Sequence, residues 1–238
     1  MTSLSSSNKM SSSIKEPAGD SRATSELQLN KISVSLQGVA ILRSIDLKVG
    51  KGEMVVLIGR NGAGKTTTMR TIMGLAVSNK GSLQFGGQDL TKTPAYRRAQ
   101  MGIGYMPEDR RLNPLFTVEE NLLLPIWAQG RRDGSERLEQ VYQVIPEVGE
   151  FRARKTLQLS GGQQKLVALG RALMTGERLL LLDEPFEGVA PALANRLTDV
   201  ISATRSLGRS ILLAQSEHGH AQEISDRVVN IERGEILG

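Results

Sequence analysis

The sequence predicts an α/β fold, with strands alternating with helices around one sheet and a separate helical lobe in mid-chain. Three observations carry this. Met54 to Ile58 and Leu179 to Leu182 are unbroken apolar runs of strand length, the pattern of strands buried on both faces. Segments with helical spacing separate such runs, as the crossovers of a parallel sheet do. The stretch from Thr117 to about Leu180 has a mainly helical pattern, which implies a lobe of its own.

The elements follow in order. Met1 to about Ser25 is Ser-rich, without an apolar block, and is expected to be a disordered tail, neither a secretory signal nor a transit peptide. Met10 is a candidate alternative start. After Glu26, "LQLNKISVSL" alternates like a half-buried strand. "SIDLKVGKGEMVVLIG" continues with an alternating run, a turn at Gly50-Lys51-Gly52 and the apolar run. "GSLQFGG" (Gly81 to Gly87) and "MGIGYM" (Met101 to Met106) are further short strands. Thr117-x-x-Glu120 is a capping box that opens a helix, and Pro125 predicts a kink or break in it. "GSERLEQVYQVI" and "GGQQKLVALGRALM" have helical spacing, as in Leu166, Leu169 and Leu173. "ALANRLTDVISATRSLG" reads as a helix ended by Gly208, "SILLAQ" as a strand, and "RVVNIERGEIL" as a strand pair turning at Arg233-Gly234.

A chain of 238 residues suits one α/β domain with an appended lobe. The net charge of +5 favours acidic partners. Yet the pairs Arg97-Arg98, Arg110-Arg111 and Arg131-Arg132 are scattered, as on a solvated surface, and aromatics at 3% are too few for a base-stacking platform. Nucleic acid is therefore not an expected partner. No apolar run approaches the ~18 residues that span a bilayer. The absence of cysteine excludes a disulfide framework and a thiolate metal site.

The chemistry begins at "GRNGAGKT", Gly59 to Thr66, between an apolar strand and the helical "TTTMRTIMGL". Gly62 and Gly64 let successive N–H groups turn inward on phosphate oxygens, and the helix N-terminus adds its dipole. Lys65 reaches the β/γ-phosphates and the Thr66 hydroxyl is a ligand for Mg²⁺. Gly59, Arg60, Asn61, Gly62, Ala63, Gly64, Lys65, Thr66 and Thr67 are thus the expected phosphate-binding loop. "LLLLDEP" ends a strand in two carboxylates at the edge where open α/β sheets bind ligands. There Asp183 is placed to hold Mg²⁺ and Glu184 to polarise the water that attacks the γ-phosphate. In "LSGGQ", Ser160-x-x-Gln163 is a helix N-cap pattern, and the N–H groups of Gly161 and Gly162 form an anion site.

The ordered set "GRNGAGKT", "LSGGQQK", "LLLLDEP" makes the chain resemble the ATP-binding cassette (ABC) ATPases, from about Glu26 to Gly238. The resemblance implies a P-loop ATPase core with a mainly parallel sheet, an N-terminal antiparallel β subdomain and an α-helical lobe at about 112–165. It implies ATP and Mg²⁺, and a second ATPase subunit, a copy or a related chain. Ser160, Gly161, Gly162 and Gln163 then close over the nucleotide that the second chain holds. The pair is expected under two membrane-spanning permease subunits, peripheral on the cytoplasmic face of the plasma membrane, with a solute-binding protein feeding the permease.

"GIGYMPEDRRLNPLFTVEENL" and "EPFEGVAP" resemble the importers for branched-chain and other hydrophobic amino acids, with relatives for urea and amides. The chain is therefore expected to power such uptake. A soluble non-transport cassette ATPase and a weakly hydrolysing regulatory subunit are the alternatives. "NLLLPIWAQG", with Trp127, either contacts the permease or fills the lobe's core.

Three positions depart from the family pattern. Glu108 stands where most members have a glutamine that contacts Mg²⁺ and the attacking water, and remains a hard oxygen ligand. Leu36 stands at the adenine-stacking aromatic. Ser216 stands at the switch histidine: its hydroxyl can bond a phosphate but carries no positive charge. His218 and His220, the only histidines, read as loop residues and not as a metal pair.

Overall fold

The computed structural model describes residues 25–237. The expected tail therefore lies outside the described residues, except for Ser25, which opens the first strand. Strands β1 (Ser25–Leu36) and β2 (Val39–Gly50) lead to β3 (Met54–Ile58), and α1 (Lys65–Ile72) follows the phosphate loop. Next come β4 (Lys80–Phe85), β5 (Gln88–Asp89), α2 (Ala95–Gln100) and β6 (Ile103–Met106). The helical block is α3 (Val118–Ala128), α4 (Gly134–Val144), α5 (Pro146–Glu150) and α6 (Gly161–Thr175). The chain continues through β7 (Leu179–Asp183), α7 (Pro191–Ser206), β8 (Ser210–Gln215), α8 (His220–Glu223), β9 (Arg227–Glu232) and β10 (Glu235–Leu237).

Two sheets form. One has the order β10-β9-β3-β8-β7-β6, parallel except at β10, and the other is an antiparallel sheet of order β2-β1-β4-β5. The solid apolar runs have a direct cause. Met54, Val56, Leu180, Leu182 and Leu213 pack towards the α3–α7 side, and Val55, Leu57, Leu181 and Leu212 pack towards the antiparallel sheet and α1. Side chains alternate across a strand, so a strand covered on both faces must be apolar at every position. Leu181 is fully buried. Leu181→Ala is expected to cost about 2–5 kcal/mol, by lost transfer energy and the cavity left behind, read as a lower urea midpoint at unchanged slope.

The Thr117 capping box is present: its hydroxyl accepts from Glu120 N–H and the Glu120 carboxylate accepts from Thr117 N–H. Of the kink or break expected at Pro125, the break does not occur: α3 runs on to Ala128. The proline falls near the helix end, and the next residue, Ile126, is buried in the core, which holds the last turn in place. Trp127 lies 52% exposed and does not fill the core. His220 is no loop residue: it opens α8, with its ring 5.9 Å from that of Phe186.

Candidate functional site

The parallel strand order builds the site. β8 lies between β3 and β7, so the residues just beyond the carboxyl ends of these three strands meet: the phosphate loop, Ser216 and Glu184. Gly62 and Gly64 have φ of 83° and 112°, a region other residues rarely enter. Gly64 also packs against Leu42 and Ile231 so closely that a methyl group would collide. Lys65 is buried, and its Nζ donates to the carbonyls of Gly59 (2.5 Å) and Arg60 (3.2 Å). The same ammonium lies 3.1 Å from Glu184 Oε1 and 3.2 Å from Ser216 Oγ.

Glu184 is held in the left-handed region, φ 51°. Its carboxylate accepts from Ser216 N–H at 3.0 Å and from the Ser216 hydroxyl at 2.5 Å, and its own N–H donates to Ala214 O. Ser216 Oγ is also 2.7 Å from Asn61 Oδ1. A hydroxyl has one proton, so it serves the carboxylate, and a turned Asn61 amide then donates to Oγ. The chain's own carboxylate thus sits where Lys65 would meet a phosphate.

Asp183, fully buried, accepts from the Thr66 hydroxyl at 3.2 Å and from the Tyr105 hydroxyl at 3.3 Å. Burial, the largest influence, outweighs these donors and pushes its carboxyl up to about 6 from an ordinary 3.8. Asp183 therefore keeps its proton to a higher pH in the folded chain than in the unfolded one. The stability this confers is complete below about 4 and lost as pH rises through about 6. In chelator, the stability of Asp183→Asn relative to the native chain is expected to rise by about 1–2 kcal/mol between pH 5 and pH 8, measured by urea unfolding. Burial and the charges of Glu187 and Glu184 raise the Glu108 carboxyl.

A cavity of about 480 Å³ is lined by Asn61, Lys65, Thr66, Thr67, Glu108 and Glu184, among others. Ile41 forms part of its wall and Leu36 does not; Leu36 is exposed at the end of β1. Ser160, Gly161 and Gly162 line a different cavity, of about 670 Å³, which Glu108 also borders. There Ser160 caps α6: its hydroxyl accepts from Gln163 N–H and the Gln163 side chain accepts from Ser160 N–H. Within one chain, then, the Ser160–Gln163 segment and the phosphate loop face separate spaces.

Sequence reading missed Tyr105, Lys165 and Arg171. Tyr105 stands inside a quoted segment, but only the parallel pairing of β6 with β7 brings it to Asp183. Lys165 stands inside a quoted motif, but its partners lie about 20 residues away in sequence.

A glycine-turned loop between strand and helix, facing two carboxylates at the end of a neighbouring parallel strand, defines a P-loop nucleotide-hydrolysing core. More narrowly, the chain belongs to the ABC transporter family, whose family model matches residues 42–187. It is an ATP-hydrolysing subunit of that family. It is 33% identical to the high-affinity branched-chain amino acid transport ATP-binding protein BraG of Pseudomonas aeruginosa, over 89% of this chain and 91% of that one. It is 31% identical to the lipopolysaccharide export system ATP-binding protein LptB of Haemophilus influenzae, over 89% and 88%. Among solved structures it resembles the ADP conformation of MJ1267, an ATP-binding cassette of an ABC transporter, with a TM-score of 0.77, 26% identity and 90% of each chain covered.

Proposed function

We propose that this chain hydrolyses ATP to power an importer of branched-chain amino acids or a related small solute. The observation that carries the chemistry is the convergence of Lys65, Asp183 and Glu184 at the carboxyl ends of β3 and β7. The similarity to BraG over nearly the whole length of both chains supports the solute class.

In this reading a triphosphate enters the cavity at Lys65 and Thr66, with the loop N–H groups and the start of α1 facing its oxygens. Lys65 exchanges the Glu184 carboxylate for phosphate oxygens. Glu184, released, takes a proton from the attacking water as the new O–P bond forms and the bond to the leaving ADP breaks. Ser216 is then free to donate its hydroxyl to the γ-phosphate.

Mg²⁺ fits the donor set. The Thr66 hydroxyl and the Asp183 carboxylate are hard oxygens 3.2 Å apart, and Glu108 lines the same cavity. When bound, it would neutralise charge on the β- and γ-phosphate oxygens.

The Ser160–Gln163 segment would serve the nucleotide of a second ATPase subunit, a copy or a related chain. Its separation from this chain's own phosphate loop supports that role. Among the described residues no helix is long and apolar enough to cross a membrane. Attachment is therefore proposed through two permease subunits at the cytoplasmic face, with exposed Leu115, Leu124 and Trp127 as contacts, and with a solute-binding protein beyond.

The test is uptake of labelled leucine into proteoliposomes that contain this chain, the permease subunits that co-purify with it and a solute-binding protein. ATP inside the vesicles should drive leucine accumulation. ATP turnover stimulated by the membrane subunits without any leucine, urea or amide uptake would contradict the solute assignment. It would turn attention to export, as the LptB similarity suggests.

A further inference from the structure

Helix α6 begins at the Ser160–Gln163 cap, and two of its side chains hold neighbouring loops: Lys165, which lines the same cavity as Ser160–Gly162, and Arg171. Lys165 is buried, and its Nζ donates to the carbonyls of Glu184 (3.1 Å), Pro185 (3.1 Å) and Glu187. An ammonium has three protons, and each finds one carbonyl. Arg171 donates to the carbonyls of Arg110 (2.5 Å) and Arg111 (2.7 Å), both at positive φ, in the loop that follows Glu108. Arg110 returns a bond to Gly161 O at 3.2 Å. One helix therefore holds the loops that carry both carboxylates of the cavity, Glu108 and Glu184.

The hold on Glu184 matters most, because its backbone is in a region that a non-glycine residue keeps only when its surroundings enforce it. Ser216 fixes its carboxylate, Ala214 its N–H and Lys165 its carbonyl. Ser216 must let go when nucleotide arrives, in the reading above. Lys165 need not.

We infer that Lys165 is a positioning residue for Glu184: it ties the loop bearing the proposed base to the helix whose N-terminus forms the anion site. The inference rests on the proposed role of Glu184.

The experiment compares the native chain with Lys165→Met and Lys165→Arg. It measures steady-state phosphate release, ATP affinity and thermal midpoint. Lys165→Met should lower kcat at least tenfold, because the loop loses its three-donor anchor. ATP affinity of the single chain, measured at a protein concentration at which it is monomeric, should stay within threefold, since Lys165 lines the Ser160–Gly162 cavity and not the phosphate-loop cavity. Lys165→Arg, which keeps charge and donors, should recover part of kcat. If Lys165→Met does not fold, Lys165→Gln, with two donors for three carbonyls, takes its place with the same readouts. A kcat within threefold of native overturns the inference, and so does a fall in ATP affinity as large as the fall in kcat. A native chain without ATP turnover would instead count against the proposed function.

Discussion

Lys65→Ala is expected to weaken ATP binding about 30-fold or more, measured by titration with a fluorescent ATP analogue. Lys65 is buried, and its ammonium is the positive side chain closest to the proposed base, 3.1 Å from Glu184. For binding, the pair that counts is Lys65 with the phosphate: truncating one partner of such a desolvated charge pair costs about 2–5 kcal/mol, and 2 kcal/mol is already a factor of about 30. The loss has a second part. The carbonyls of Gly59 and Arg60 lose their donor, so the loop loses a fixed point just where its N–H groups must converge. A reduced thermal midpoint of the nucleotide-free variant should accompany the affinity loss, because Glu184 is then a buried carboxylate without its cation.

Glu184→Gln should act in the opposite sense on binding and more severely on turnover. A positioned general base contributes about 10²–10⁴-fold, and a glutamine cannot accept the proton. The Lys65–Glu184 contact adds a consequence. The native carboxylate competes with phosphate for Lys65, whereas a neutral amide competes weakly. ATP affinity of the variant should therefore equal or exceed that of the native chain. Ser216→Ala removes the hydroxyl clamp but leaves the Ser216 N–H contact, so Glu184 keeps one of its two anchors there.

These two residues also show what was legible in the sequence. The strands were, because burial on both faces demands apolar residues at every position and leaves a pattern that needs no partner to be seen, as at Met54–Ile58 and Leu179–Asp183. So were the caps at Thr117 and Ser160, since a cap is a local bond across three residues. The short helices α2, α5 and α8 were not, because one or two turns are too few for a period to show. At Pro125 local chemistry disfavours an unbroken helix, and core packing at Ile126 keeps it continuous.

The pairing of Lys65 with Glu184 was beyond reach. It depends on the strand order β3-β8-β7, which no local pattern encodes. The same holds for Tyr105 on Asp183 and Lys165 on the loop after β7. Ser216 departs from the family pattern in a way the sequence shows, whereas the bond of its hydroxyl to Glu184 needs the strand order.

Phosphate release at saturating ATP and Mg²⁺, measured for the native chain and Glu184→Gln in parallel with their ATP affinities, tests the account most directly. Turnover should fall at least about 100-fold, with binding retained or tightened. Equal turnover in the two proteins would contradict it, and would place hydrolysis on some group other than Glu184.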